Sequence, residues 1–291
     1  MLCLGCPIWA YKGWVGTFYP EGTKPSDYLR EYARRLNAVE GNTTFYGIPQ
    51  PETLLRWSHE TPPDFRFCLK LPRPISHSGR LSDHLEEASA FFKIVSLLGS
   101  RLGPLFLQLP PRFAPDQLPD LTIFLDRWPV EGRLAVEVRH PGWFDPPYNQ
   151  NLDTVLAEHH VARVIVDPRP IRTLKGDRIL QGSVYQRLLE ARHRKPNVSL
   201  ISELTASFAF IRYIGHPDMN TNAEFLSEWS DILSRWLQER RDVFVFCHCP
   251  DERLDPWLCR TMHRYISTSF ALPPLPWDDL DNSTPHQPRL F

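Results

Sequence analysis

Eight short apolar runs, each parted from the next by a stretch with helical spacing, limit what this chain can fold into. The runs are LCLGC (2–6), NAVE (37–40), FRFCLK (65–70), PLFLQL (104–109), RLAVEVR (133–139), ARVIVD (162–167), FAFIRYIG (208–215) and DVFVFCHC (242–249). They are apolar along nearly their whole length rather than at alternate positions, the pattern of strands covered on both faces. Between them apolar residues recur three and four apart. Tyr28, Leu29, Tyr32, Ala33 and Leu36 share one helical face, and Phe225, Trp229, Ile232, Leu233, Trp236 and Leu237 share another. Gly99 stands where a helix would stop, and Pro256 suits the first turn of a closing helix that begins near Asp255. Alternating strands and helices imply a parallel sheet. Eight such units predict an α/β fold, a single (β/α)8 TIM-like barrel, with a doubly wound open sheet as the other arrangement.

The chain shows neither a linker nor a close internal repeat, so residues 1–270 are assigned to one barrel and 271–291 to a Pro-rich, extended tail. The longest irregular stretch, 168–205, is locally basic and falls between strands 6 and 7. It is expected to carry a helix over about 183–193, within either a surface insertion or an arm over the barrel mouth. A chain of 291 residues with 42% hydrophobic content can bury a full core. A net charge of -1 argues against a dedicated nucleic-acid coat or a polybasic membrane binder. No run approaches a membrane span, and the N-terminus lacks a basic leader, so a cytoplasmic protein with reduced cysteines is expected.

In barrels the chemistry sits at the C-terminal strand ends. Here those ends carry Glu40 and Asn42, Lys70, Gln108, Glu137 and Arg139, Asp167, Arg212 with His216, and His248. Lys70, Arg139 and Arg212 favour an anion. Glu40, Glu137 and Asp167 could supply an acid and a base, because crowding separates the pKa values of neighbouring carboxyls. The same residues also suit an ion-pair network that closes the barrel top. A divalent metal held by Glu40, Glu137, Asp167, His216 and His248 is a further reading, although no HExxH spacing supports it. Trp9, Tyr11, Trp14, Phe18 and Tyr19 follow the first strand, as core or as a stacking surface for a sugar or base. Gln108 in place of an acid at the fourth strand end counts against a glycosidase. There is no GxSxG, P-loop or GxGxxG motif, and Lys70 could form a Schiff base if desolvated. Cys3 and Cys6 are three apart on one strand and so point to opposite faces, which argues against four thiolates converging with Cys247 and Cys249.

Six motifs in order, GCPIWAYKGWVGTFYPEG, VEGNTTFYGIP, FRFCLKLPRPISH, FLQLPPRF, LAVEVRHPGWF and FAFIRYIGH, resemble the YecE-like family, domain of unknown function 72. The resemblance spans roughly residues 3 to 266. It implies a TIM-like barrel and no settled reaction. The family's polar positions fall here on Glu40, Asn42, Thr44, Tyr46, Lys70, His77, Gln108, Glu137, Arg139, Trp143, Arg212, Gly215 and His216. Two departures stand out: the histidine of the seventh-strand motif follows Gly215 rather than preceding it, and the eighth strand ends in His248 rather than in asparagines.

The expectation is an enzyme, a hydrolase or isomerase, acting on a phosphorylated or carboxylated small molecule. Glu137 would be its base or acid, Glu40 and Lys70 the partners, and Arg139 and Arg212 the anion clamp. Asn42, Gln108, Tyr46, His77, Trp9 and Trp143 would bind or orient substrate. No cofactor is required by motif. Gln287, Leu290 and Phe291 resemble the QxxLF peptide that docks on a replication sliding clamp, which raises a metal-dependent nuclease or phosphodiesterase as an alternative. A barrel that binds a ligand without turning it over is the third reading.

Overall fold

A computed structural model describes residues 1–129 and 131–283. Its eight strands are β1 (Leu2–Cys6), β2 (Ala38–Gly41), β3 (Arg66–Leu69), β4 (Leu105–Gln108), β5 (Leu134–Glu137), β6 (Ala162–Asp167), β7 (Phe208–Ile214) and β8 (Asp242–His248). They form one parallel sheet in the order β3-β2-β1-β8-β7-β6-β5-β4. The first strand pairs with the last, Leu2 opposite Val243 and Gly5 opposite Phe246. Only β3 and β4 lack a continuous ladder. There the sheet closes through two bridges, Phe67 to Leu102 and Lys70 to Phe106. The predicted barrel is therefore present, nearly closed, with a weak seam at β3/β4.

The helices are α1 (Tyr28–Ala33), α2 (Pro51–Glu60), α3 (Arg73–His77), α4 (Leu85–Val95), α5 (Leu118–Asp126), α6 (Tyr148–Glu158), α7 (Arg169–Arg172), α8 (Gly182–Arg194), α9 (Ala223–Gln238), α10 (Asp255–Ser267) and α11 (Pro276–Ser283). Within the described part of the tail, residues 276–283 are helical rather than extended. Leu275 and Trp277 are buried, Trp277 packs on Phe18 and Trp257, and this apolar anchoring supports α11. Gln287, Leu290 and Phe291 lie outside the described residues. None of the described helices is long and apolar enough to cross a membrane.

Strand alternation sorts side chains into two shells. Outward residues pack under the helices. Inward residues form the barrel's own core, where Cys3, Ala38, Cys68, Ala135 and Ala162 face Phe208 and Phe244. Above them Phe106, Phe210 and Phe246 meet ring to ring at 5.4 and 5.1 Å. Small side chains on one side of the barrel make room for large ones on the other, which fills the interior without a pore. The next inward position on each strand, toward the C-terminal end, is where the polar residues begin.

Candidate active site at the barrel mouth

Six strands send polar side chains onto the phenylalanine layer. Arg212 of β7 sits at the centre, buried, with its guanidinium carbon 5.7 Å from the Phe106 ring. It grips Glu40 of β2 with two bonds, Nε to Oε2 at 2.8 Å and Nη2 to Oε1 at 2.9 Å. Its Nη1 donates to Glu137 of β5 at 2.6 Å. The other Glu137 oxygen accepts from Gln108 Nε2 at 2.8 Å, and Gln108 Oε1 accepts from Lys70 Nζ at 2.7 Å. Asn42 donates to Glu40 at 2.7 Å and ties it to the Pro7 carbonyl at 3.1 Å. His248 Nε2 stands 3.3 Å from Glu40. Lys70, Gln108, Glu137, Arg212, Glu40 and His248 thus form one hydrogen-bonded chain across the mouth.

Charge follows from that geometry. Burial alone would raise Glu40 and Glu137, but the Arg212 guanidinium overrides it. Glu40 is held well below the usual carboxylate range, and Glu137 below it too, with help from Arg139. Both are anions at neutral pH, acceptors rather than acids. Burial, opposed by Glu40 and reinforced by Arg212, brings His248 down to about 4, so it is neutral and donates its Nε2 proton to Glu40. Lys70 has a neutral amide for a partner instead of a carboxylate, and its ammonium lies 3.8 Å over the Phe45 ring. Burial and the neighbouring Arg212 lower it to about 8.

The 168–205 insertion packs over this ring. Its helix runs Gly182–Arg194, close to the predicted span. Arg139 Nη2 donates to the Arg194 carbonyl at 2.7 Å, and Arg172 Nη2 donates to the Lys195 carbonyl at 2.6 Å. His216 meets Asp177 at 3.2 Å, and Asp177 also pairs with Arg192. Arg187 reaches Asp251 beyond β8 at 3.5 Å. These anchors span the mouth from the β5 side to the β8 side. They place Lys195, the residue after α8, among the fields of Arg212, Glu137, Glu40 and Arg139. Burial and Arg212 bring its ammonium down to about 8. Pro196 holds Lys195 in extended backbone, which ends the helix and directs the turn. Lys195 was not among the sequence candidates. Its one signal was a lysine before proline in a basic run.

Other candidates lie elsewhere. Asp167 ends β6 on an outward position and binds Arg169 and the Trp229 indole, at 2.7 Å from the latter. His216 is buried and serves the insertion. Trp9 packs against Trp57 at 5.1 Å and Phe67 at 6.3 Å, outside the barrel wall. Trp14, Phe18 and Tyr19 likewise pack around Tyr28, Tyr32 and Trp277. Trp143 is fully buried, with its indole bonded to the Phe113 carbonyl at 2.7 Å. Tyr46, by contrast, is 83% exposed and rests on Phe45, and His77 abuts the same ring at 5.1 Å. Burial and Lys70 push His77 down to about 4. The five proposed metal ligands do not converge. Among the described residues no group of three or more His, Cys, Asp or Glu side chains is arranged to hold a metal ion.

Comparison with known proteins places this architecture. Residues 3–280 match the family model described as "Protein of unknown function DUF72". The chain is 36% identical over 286 residues to the UPF0759 protein YecE of Escherichia coli K12, covering 98% of this chain and 94% of that one. It is 26% identical over 257 residues to the UPF0759 protein YunF of Bacillus subtilis, covering 84% and 87%. Among solved structures, a DUF72 family protein of Enterococcus faecalis superposes with a TM-score of 0.66 at 20% identity, covering 94% of this chain and 97% of that one. One from Thermotoga maritima gives 0.62 at 21% identity, covering 91% and 99%.

Proposed function

The chain belongs to the DUF72 family, and from that premise we propose that its barrel mouth binds a phosphorylated or carboxylated small molecule and exchanges a proton with it through Lys70. One observation carries the reading: the mouth holds more positive charge than it neutralises. Lys70, Arg139, Lys195 and Arg212 face two carboxylates, and Arg212 engages both. Lys70, Arg139 and Lys195 have no carboxylate partner among the described residues, and the buried Arg139 Nε has no hydrogen-bond partner at all. Uncompensated buried cations are costly unless an anion completes them. Arg139 and Lys195 are the clamp in this reading, in place of Arg212, and Tyr46 with His77 rims the entry. Lys70 is the acid–base group because its proton leaves near working pH, whereas Glu40 and Glu137 stay ionised. The reaction is an isomerisation or hydrolysis run by proton transfer, and the setting is the cytoplasm, where six unpaired cysteines stay reduced.

Calorimetric titration with inorganic phosphate and a panel of sugar phosphates and small carboxylic acids tests it, with proton NMR of each mixture to detect turnover. Lys195→Met and Arg139→Met are each expected to weaken binding about tenfold, the scale of one charge-assisted contact. Affinity should fall as pH rises through about 8, where Lys195 discharges. Lys70→Met should still bind and no longer turn over. Binding without product from every ligand would favour the non-catalytic barrel. No anion binding in the wild-type protein would end the proposal.

A further inference from the structure

Behind the barrel wall, on the outward faces of β1 and β8, lies a buried cluster that the mouth does not use. Cys6 ends β1, Cys247 faces outward on β8 with Cys249 just past the strand's end, and Cys259 lies on α10 one helical turn after Asp255. Cys6, Cys247 and Cys259 are completely buried. Cys6 Sγ is 3.8 Å from Cys259 Sγ, and Cys259 in its thiol form donates to the Gly5 carbonyl at 3.2 Å, a proton it must give up before acting as a nucleophile. Cys247 is within side-chain reach of the same sulfur. Asp255 is buried as well, and neither of its carboxyl oxygens meets a hydrogen-bond donor.

Burial raises the Cys6 and Cys247 thiols, whereas the two together stabilise a negative Cys259 sulfur between them and bring it down to about 5 against burial. Burial and that sulfur raise the Asp255 carboxyl well above its ordinary value. The layer therefore holds two sulfurs within reach of each other beside a buried carboxyl that has no hydrogen-bond partner. Two thiols this close can be joined by a two-electron oxidation.

We propose that Cys6 and Cys259 form a two-electron thiol–disulfide site, oxidised by a small hydroperoxide and restored by a thiol reductant. The Cys259 thiolate attacks one peroxide oxygen, the O–O bond breaks, and the departing hydroxide leaves as water with the Asp255 proton. Cys6 sulfur then attacks the Cys259 sulfenic acid. The S–S bond forms as the S–O bond breaks, and the hydroxyl departs as water with the Cys6 proton. The proton Cys259 released on ionising restores Asp255. Two thiols and one peroxide thus give one disulfide and two waters. The sulfurs must close by about 1.8 Å to reach bonding distance. Two thiols of the reductant reverse the change by exchange and leave as their own disulfide. The bond would join residues 253 apart and tie the first strand to α10.

The full chain, purified under reductant, is treated with hydrogen peroxide, denatured, alkylated and mapped by mass spectrometry. The expected result is loss of two alkylatable thiols, a linked Cys6–Cys259 peptide, and an unfolding midpoint raised by oxidation and returned by dithiothreitol. Cys6→Ala should leave a Cys259 sulfenic acid that dimedone traps, and it removes the midpoint shift. Six alkylatable thiols after peroxide, a link between any other pair, or no dimedone adduct in Cys6→Ala would overturn the assignment. The outcome is independent of anion binding at the mouth.

Discussion

The barrel mouth and the layer between β8 and α10 are both buried and both polar, yet they treat charge in opposite ways. At the mouth, every acid is ionised and matched by Arg212, and cations are left over. Behind β8, burial pushes the Asp255 acid up, and the neighbouring thiols bring the Cys259 sulfur down. A surplus of one sign near solvent is the mark of a place where a ligand supplies the missing charge. A layer of thiols and one acid sealed by a helix holds protons and electrons instead. The two regions lie on opposite faces of the same strand: His248 points in, and Cys247 points out.

The largest effect should come from Arg212→Met, which leaves two buried carboxylates without their cation. It should cost about 3–5 kcal/mol by chemical denaturation. Replacing all three partners, as in Arg212→Met with Glu40→Gln and Glu137→Gln, should recover much of that. Loss of less than 1 kcal/mol in the single variant would mean the mouth is not one coupled network. Asp167→Asn should cost ~1–3 kcal/mol by weakening the buried contacts to Arg169 and Trp229. It should leave phosphate binding unchanged, and weakened binding there would put Asp167 back in the site.

Acid titration separates the regions by sign. The folded pKa of Glu40 lies below its ordinary 4.5, so its contribution is complete above that pH and is lost as pH falls through the folded value. Asp255 is raised above its ordinary 3.8, so its ionisation cost appears as pH climbs above 3.8. Asp255→Asn should therefore gain stability relative to wild type as pH rises above 3.8, read as the difference in unfolding free energy between the two proteins at pH 4 and at pH 7. A gain that is flat with pH would show that folding does not raise the Asp255 carboxyl. The smallest change is expected for Tyr46→Ala, within about 0.5 kcal/mol in stability because the side chain is exposed. A loss of anion affinity in that variant would place the rim in contact with ligand.

Much of the fold was legible because barrel strands advertise themselves twice, by apolar runs and by the helices between them. The ring at the mouth was legible for the same reason: Glu40, Lys70, Gln108, Glu137 and Arg212 each fall on the inward parity of a short strand. Asp167 shows where strand ends alone mislead, since β6 finishes one residue later, on the outward face. Trp9 and Trp143 belong to residue types that read equally well as core or as binding surface, and only packing decides between them. Lys195 could not be read, because its place depends on how an irregular insertion is tied within itself by Arg172 and pinned by Arg139 to the end of β5, distant in sequence. The opposite facing of Cys3 and Cys6 follows from pleat alone. That Cys259 would meet Cys6 does not, because the angle at which α10 packs is set by the whole shell.

The pairing of β1 with β8 has a consequence for how the protein is made. Leu2 finds its partner Val243 only after nearly the entire chain has been synthesised. At ~5–20 residues per second that is a wait of about 12 to 48 seconds. During that interval β1 can pair with β2 on one side, and its other edge stays bare, an adhesive margin on every nascent chain. The ribosome thus releases the last strand as a latch, and the cell must shelter the half-built cylinder until the latch falls.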